Sequence, residues 1–153
     1  MAANSAVLEA PSRAVFATLS DPGAYPSFVV GTRSTRRFDP SWPEVGSVLH
    51  HSQGMGPLVV RSHTEVIEVE QDRRLVLRAH LGPLGVHHVR FSLTPAGAGT
   101  RVEIDEHAIE GASAALWNPL TEALMSLRNR ELLRRLGAVA KRRCERQKEF
   151  DRS

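Results

Sequence analysis

The chain of 153 residues carries a net charge of +3, and 41% of its residues are hydrophobic. These values are typical of one globular domain, and they exclude long disordered or collagen-like segments. No apolar run approaches the roughly 20 residues that a membrane-spanning helix requires. A single domain over residues 1–153 is therefore expected, with a core large enough to fold without disulfides or a structural metal.

Cysteine usage and charge distribution bear on location and partners. The only cysteine, Cys144, has no partner for an internal disulfide, and residues 1–10 lack the basic patch and apolar segment of a signal peptide. Both observations predict a cytoplasmic protein. Residues 128–152 hold ten Lys or Arg and four acids, so the basic character is local. Residues 141–153 are expected to form a basic helix end that is prone to fraying.

The N-terminal part predicts one strand followed by two short helical segments. Residues 5–9 have the pattern of a strand, and residues 11–19 carry apolar side chains at helical spacing. The Ser-Asp-Pro-Gly sequence that follows is a strong helix breaker. Residues 25–28 predict a second short helix or turn.

Six further strands are predicted in the middle of the chain. Runs of alternating Val, Ile and Leu are separated by turns rich in Gly, Pro and Asp, which is typical of antiparallel hairpins. These strands cover residues 32–38, 48–53, 58–70, 74–81, 86–94 and 101–109. With the first strand they make a curved antiparallel sheet of about six or seven strands.

The C-terminal part predicts one long helix. Asn118 is a suitable N-cap, Pro119 suits the first helical position, and apolar side chains recur at helical spacing over residues 120–140. The helix is expected to run to about residue 148. Because the sheet needs a helix to cover its apolar face, the sequence predicts an α+β fold. The sheet wraps around the long helix and leaves a gap that suits a ligand.

Five short motifs follow one another in a characteristic order. They are residues 10–16 (APSRAVF), 19–26 (LSDPGAYP), 45–47 (VGS), 73–75 (RRL) and 99–102 (GTRV). With these motifs the chain resembles the START-related helix-grip (SRPBCC) superfamily, and most of all its polyketide cyclase/dehydrase-like branch. The resemblance implies a helix-grip fold that binds a small hydrophobic or aromatic molecule. The alternative that it implies is an aromatase/cyclase or dehydratase without a cofactor.

The turn of the last hairpin predicts which side chains share a face. If residues 96–99 form a four-residue loop, Phe91 lies opposite Ile104 on an apolar face. His87 and Glu106 then lie on this same face as diagonal neighbours, within roughly 8 Å at the backbone. This face is expected to line the gap.

The preceding hairpin is expected to have a five-residue loop, residues 82–86. That loop pairs Leu81 with His87 and Leu77 with Phe91, so the apolar side chains of both strands share one face. A four-residue loop would turn one of the two strands over, since a slip of one residue reverses every side chain.

A histidine beside a carboxylate on an apolar face is a candidate acid/base pair, because burial moves both pKa values toward neutrality. His87 and Glu106 are therefore the predicted catalytic pair of the enzyme alternative, with His51 or His63 as possible additions. The simpler interpretation is that the pair only satisfies its own hydrogen bonding. The predicted ligand-binding residues are His51, His63, Leu77, Ala79, Val89, Phe91, Ile104, Trp117, Leu120 and Leu124.

No cofactor or metal is predicted, since the seven histidines show no chelating spacing on a helix or beside a cysteine cluster. A third possibility is an interaction protein that contacts RNA, the ribosome or a protein partner through residues 128–152. That segment contains one aromatic residue, Phe150, which disfavours nucleic-acid binding by base stacking. The expected partner is a small apolar or aromatic molecule, and the expected assembly is a monomer or homodimer.

Overall fold

The computed structural model describes residues 2–55, 57–82 and 85–153. In these residues seven strands are present: β1 (Ala2–Leu8), β2 (Thr32–Phe38), β3 (Val48–Met55), β4 (Leu58–Glu70), β5 (Arg74–His80), β6 (Val86–Ala96) and β7 (Gly99–Glu110). The helices are α1 (Ser12–Leu19), α2 (Tyr25–Phe28), α3 (Ala112–Ala115) and α4 (Pro119–Arg152). A 3-10 turn, Pro22–Ala24, leads into α2.

The strands form one antiparallel sheet in the order β1-β7-β6-β5-β4-β3-β2. Helices α1 and α2 and the second half of α4 pack on its concave face around one apolar core. The predicted α+β helix-grip architecture is confirmed, with seven strands and two short helices after the first strand.

The first strand and one short helix differ from the predicted elements. The first strand occupies residues 2–8 instead of 5–9, because β1 pairs along its whole length with β7, from Ala2 opposite Glu106 to Leu8 opposite Thr100. This pairing holds the polar N-terminal residues in extended form although their own strand propensity is low. Helix α3, which follows β7, was not predicted.

The predicted register of the last hairpin is confirmed, with Phe91 opposite Ile104. The predicted register between β5 and β6 was wrong by two residues, since Leu77 lies opposite Val89. The loop between the paired ends has five residues, as predicted, but it is 81–85 instead of 82–86; residues 83 and 84 lie outside the described part. Because the shift is even, every side chain remains on the predicted face.

Helix α4 begins with a capping box, in which the Asn118 side chain accepts from the amides of Leu120 and Thr121. The helix continues to Arg152, beyond the predicted residue 148. Its buried residues are Asn129, Leu132, Leu133, Leu136, Val139 and Ala140. The expectation that the leucines of the first turns face the gap was wrong. Leu120 and Leu124 are 70% and 58% exposed, because the helix packs on the core only from Asn129 onward.

A row of histidines crosses the outer face of the sheet. His63 of β4 lies directly opposite His50 of β3 and His80 of β5. The ring centroids of His50 and His63 are 5.9 Å apart, and those of His63 and His80 are 4.3 Å apart and stacked. Burial and the neighbouring imidazoles His80 and His50 lower the pKa of His63, although Glu65 opposes this.

The row is expected to make the fold less stable in mild acid. Since the folded-state pKa of His63 lies below its unfolded value, the unfolded chain takes up the proton first, and stability falls as the pH drops through about 6.5. Replacing His63→Thr should reduce this fall, by less than about 1 kcal/mol because the charges are partly screened.

Chemical denaturation at neutral and mildly acidic pH measures the effect. The control is Thr94→Ser, a conservative change of an exposed, non-titrating side chain on the same outer face. Equal acid sensitivity of the wild type and the His63→Thr variant would contradict the prediction.

Candidate ligand-binding site

A cavity of about 60 Å³ lies between the concave face of the sheet and α4. Its wall is formed by Tyr25, Val29, Thr32, His51, Gln53, Thr64, Leu77, Ala79, Leu81, Val89, Phe91, Glu106, Arg128 and Leu132. The middle of the wall is apolar, and polar side chains lie at both ends. A volume of this size holds only a few waters, at about 15 Å³ or less of accessible space for each. A larger molecule must therefore displace side chains on entry.

A charged cluster closes one end of the cavity. His87 Nδ1 lies 2.9 Å from Glu106 Oε2, and Arg128 Nη1 lies 3.3 and 3.4 Å from the two carboxylate oxygens. Arg128 Nε also donates to the carbonyl oxygen of Val30 at 3.2 Å. Arg128 thus ties α4 to β7 and to the segment before β2, across this end of the cavity.

The cluster keeps Glu106 ionised at neutral pH. Burial raises the pKa of this carboxyl, but the hydrogen bond from His87 and the charge of Arg128 outweigh burial and hold the pKa below its ordinary value. A carboxylate only accepts hydrogen bonds, so His87 Nδ1 carries the proton that joins the two side chains. His87 Nε2 is buried and has no hydrogen-bond partner among the described residues.

The other end of the cavity is polar and uncharged. His51 Nε2 lies 2.9 Å from Thr64 Oγ1, and both side chains are buried. Burial lowers the pKa of His51 to about 4, and the charges of His63 and Arg36 act in the same direction. His51 is therefore neutral at physiological pH, with one ring nitrogen as donor and the other as acceptor.

The structure brings part of the predicted site together. The predicted residues that line the cavity are His51, Leu77, Ala79, Val89, Phe91 and Glu106. His87 is buried behind Glu106, and the ring of Trp117 lies edge-on to it with centroids 6.4 Å apart. The binding roles of these residues stay predictions.

The other predicted ligand residues lie elsewhere. His63 is on the outer face. It pairs directly with His50, and the side chain of His50 points away from the cavity because the adjacent His51 points into it. Ile104 is fully buried in the core and is not among the described lining residues. Leu120 and Leu124 are on the exposed side of α4, as described above.

Several lining residues were missing from the predicted site, and Arg128 and Thr64 are the two on which its polar ends depend. Arg128 was assigned to the basic C-terminal segment, although it lies four residues before Leu132 and therefore on the same helix face. Thr64 is two residues from Ser62, which lies opposite His51, so knowledge of the β3–β4 register would have placed it on the concave face.

Two features of the described residues concern membranes and metal ions. No helix in residues 2–55, 57–82 and 85–153 is both long and apolar enough to cross a membrane. In that same part of the chain, no three His, Cys, Asp or Glu side chains are grouped so that they could hold a metal ion.

The geometry defines a helix-grip domain with a small, mostly apolar cavity beneath its long helix. Residues 2–141 match the family model described as polyketide cyclase / dehydrase and lipid transport. The chain belongs to this family. No curated protein matches it significantly.

Solved structures with the same fold are distant in sequence. A protein from Arthrobacter aurescens is 20% identical, with 92% of this chain and 85% of that chain covered and a TM-score of 0.70. The di-domain ARO/CYC StfQ from the steffimycin biosynthetic pathway is 13% identical with a TM-score of 0.70, and the match covers 94% of this chain and 51% of StfQ. Ara h 8.0201 is 8% identical with a TM-score of 0.70, over 90% of this chain and 95% of that one. At these identities the likeness concerns the fold.

Proposed function

We propose that the protein binds a small apolar or aromatic molecule in the cavity between the sheet and α4. The observation that carries the proposal is the wall of the cavity, whose middle is formed by Leu77, Ala79, Val89, Phe91 and Leu132. Burying apolar ligand surface against such a wall is favourable by about 25 cal/mol per Å². Membership of a family whose model is described by polyketide cyclisation and lipid transport supports the same function.

Filling the cavity should abolish binding. Ala79 is the smallest side chain in the wall, and Ala79→Phe places a ring in the space that the ligand needs. Calorimetric titration of para-xylene into the wild type should give saturable binding, and the Ala79→Phe variant should give none. The matched control is Ala123→Phe, on the exposed side of α4, which should bind like the wild type. Equal binding by wild type and Ala79→Phe, or no binding by either, would contradict the proposal.

The enzyme alternative uses His87 and Glu106 as an acid/base pair. The lowered pKa of Glu106 keeps it ionised, so it cannot donate a proton as a general acid at neutral pH. His87 is not among the described residues that line the cavity. These observations support ligand binding more than catalysis by this pair.

Several cations of the basic segment, residues 128–152, form ion pairs with acids of the same chain. Arg134 and Arg135 pair with Glu131, Lys141 pairs with Glu9, and Arg143 pairs with Asp21. These pairs support a structural role for the cations more than an interaction with nucleic acid or another macromolecule. The cytoplasmic location and the monomeric or homodimeric state stay predictions.

A further inference from the structure

The charged residues of the cavity wall neutralise each other. Among the described lining residues, the charged ones are Glu106 and Arg128, and they form an ion pair with each other. The hydroxyl of Tyr25 is also occupied, since it donates to the carbonyl oxygen of Leu19 at 2.7 Å. A charged ligand therefore meets no free counter-charge on this wall, and burying an unpaired charge is costly.

Unsatisfied polar atoms lie on the concave face of β3 and β4, where His51 is among the described lining residues of the cavity and Ser62 is buried beside it. His51 and Ser62 are direct cross-strand partners, so their side chains share this face at a backbone separation of about 5 Å. His51 Nδ1 and Ser62 Oγ are both buried, and neither has a hydrogen-bond partner among the described residues. Buried polar atoms are rarely left unpaired, because the hydration that they lose on burial is then not replaced.

The neighbouring hydroxyl completes a compact polar group. Thr64 Oγ1 lies 2.9 Å from His51 Nε2 and lines the cavity together with His51. The three side chains offer a neutral imidazole and two hydroxyls, each of which can donate or accept. The pKa of His51, lowered to about 4 by burial, keeps the group uncharged at neutral pH.

We propose that His51, Ser62 and Thr64 form a polar subsite that selects an uncharged oxygen group, a hydroxyl or a carbonyl, on an otherwise apolar ligand. The inference rests on the proposed function and specifies its ligand class. The apolar part of the ligand lies against Leu77, Val89 and Phe91. Its oxygen meets the polar end of the cavity and supplies a partner for the unpaired atoms.

Three probes of matched shape test the subsite: para-xylene, para-cresol and para-toluate. The quantity measured is the ratio of the dissociation constants of para-xylene and para-cresol, because a change in this ratio between variants cancels the hydration of the free ligands. Thr64→Val and His51→Phe should each lower the ratio about fivefold, the value of one neutral hydrogen bond. Para-toluate should bind the wild type more weakly than para-cresol, since its charge is unpaired in the cavity.

The matched control is Thr18→Val. Thr18 is also fully buried, but its hydroxyl donates to Ala14 in α1, away from the cavity. The ratio of the para-xylene and para-cresol dissociation constants should therefore be the same in Thr18→Val as in the wild type. Ser62→Ala provides a further variant in case Thr64→Val does not fold.

The outcomes separate the two proposals. If para-xylene and para-cresol bind but the ratio is the same in the wild type, Thr64→Val and His51→Phe, the subsite is wrong and the cavity function stands. If para-toluate binds most tightly, the selection of uncharged ligands is wrong. If no probe binds the folded wild type, the cavity function fails, and the subsite fails with it.

Discussion

Replacing Arg128→Met is expected to destabilise the protein by about 3 kcal/mol. Loss of one partner from a buried ion pair typically costs about 3–5 kcal/mol, because the remaining charge stays desolvated. Here Glu106 is the buried partner, and it would lose the guanidinium while keeping His87 at 2.9 Å. The lower end of the range is expected because the Arg128 side chain keeps 27% exposure. Methionine retains the apolar stem, so the loss measured is mainly electrostatic.

A second substitution tests this cause. In the Arg128→Met background, Glu106→Gln removes the stranded charge and keeps a side chain that can bond to His87. The double variant should therefore be more stable than Arg128→Met alone, as measured by chemical denaturation.

Arg134→Met is the matched control, since Arg134 is ion-paired to Glu131 on the exposed surface. Its cost should be much smaller than that of Arg128→Met, because exposed ion pairs contribute little to stability. A cost for Arg128→Met as small as that of the control, or a double variant less stable than the single one, would contradict this account of the cluster.

The second large effect is the response of His51 to acid. Burial lowers the pKa of His51 to about 4, well below the unfolded value of about 6.5. Between these two values the unfolded chain binds the proton and the folded chain does not. The contribution of neutral His51 to the free energy of unfolding is therefore fully present above about pH 6.5. It is lost as the pH drops toward the folded-state pKa. The size of the effect is about 3 kcal/mol, since each pKa unit is worth about 1.4 kcal/mol.

His51→Phe should remove this component of the acid sensitivity. The variant will be less stable at neutral pH, because Thr64 loses its partner, but its free energy of unfolding should change less between neutral pH and about pH 4. Denaturation curves over this interval give the comparison. Thr18→Val, which removes a buried hydroxyl bonded within α1 and no titratable group, should leave the pH dependence of stability close to that of the wild type. An unchanged slope in His51→Phe would mean that His51 takes up its proton in the folded state as readily as in the unfolded chain.

Local signals in the sequence were sufficient for much of the fold. Asn118 and Pro119 marked the start of α4 because capping chemistry is read from adjacent residues. The register that places Phe91 opposite Ile104 followed from the length of one tight turn. The register between β5 and β6 was two residues off, because a loop with a glycine at both positions 82 and 85 can be placed in more than one way. Both glycines adopt positive φ, +60° and +99°, inside the loop that forms.

The site depended on contacts between distant segments, and there the sequence was less informative. Arg128 lies in a charge-rich segment, where a cation usually faces solvent, and only the packing of α4 brings it to Glu106. Leu120 and Leu124 have the spacing of a buried stripe. They are exposed because the first turns of α4 extend beyond the edge of the core. His63 could not be separated from His51 without the β3–β4 register, which puts the two on opposite faces.

The central claim is that the cavity beneath α4 is the ligand site, and amide NMR spectra of the protein titrated with para-cresol test it most directly. The account predicts saturable shifts at the amides of cavity residues such as Val89, Phe91 and Leu132, and their loss in Ala79→Phe. Shifts confined to the outer face around His63, or cavity shifts of equal size in Ala79→Phe, would contradict it.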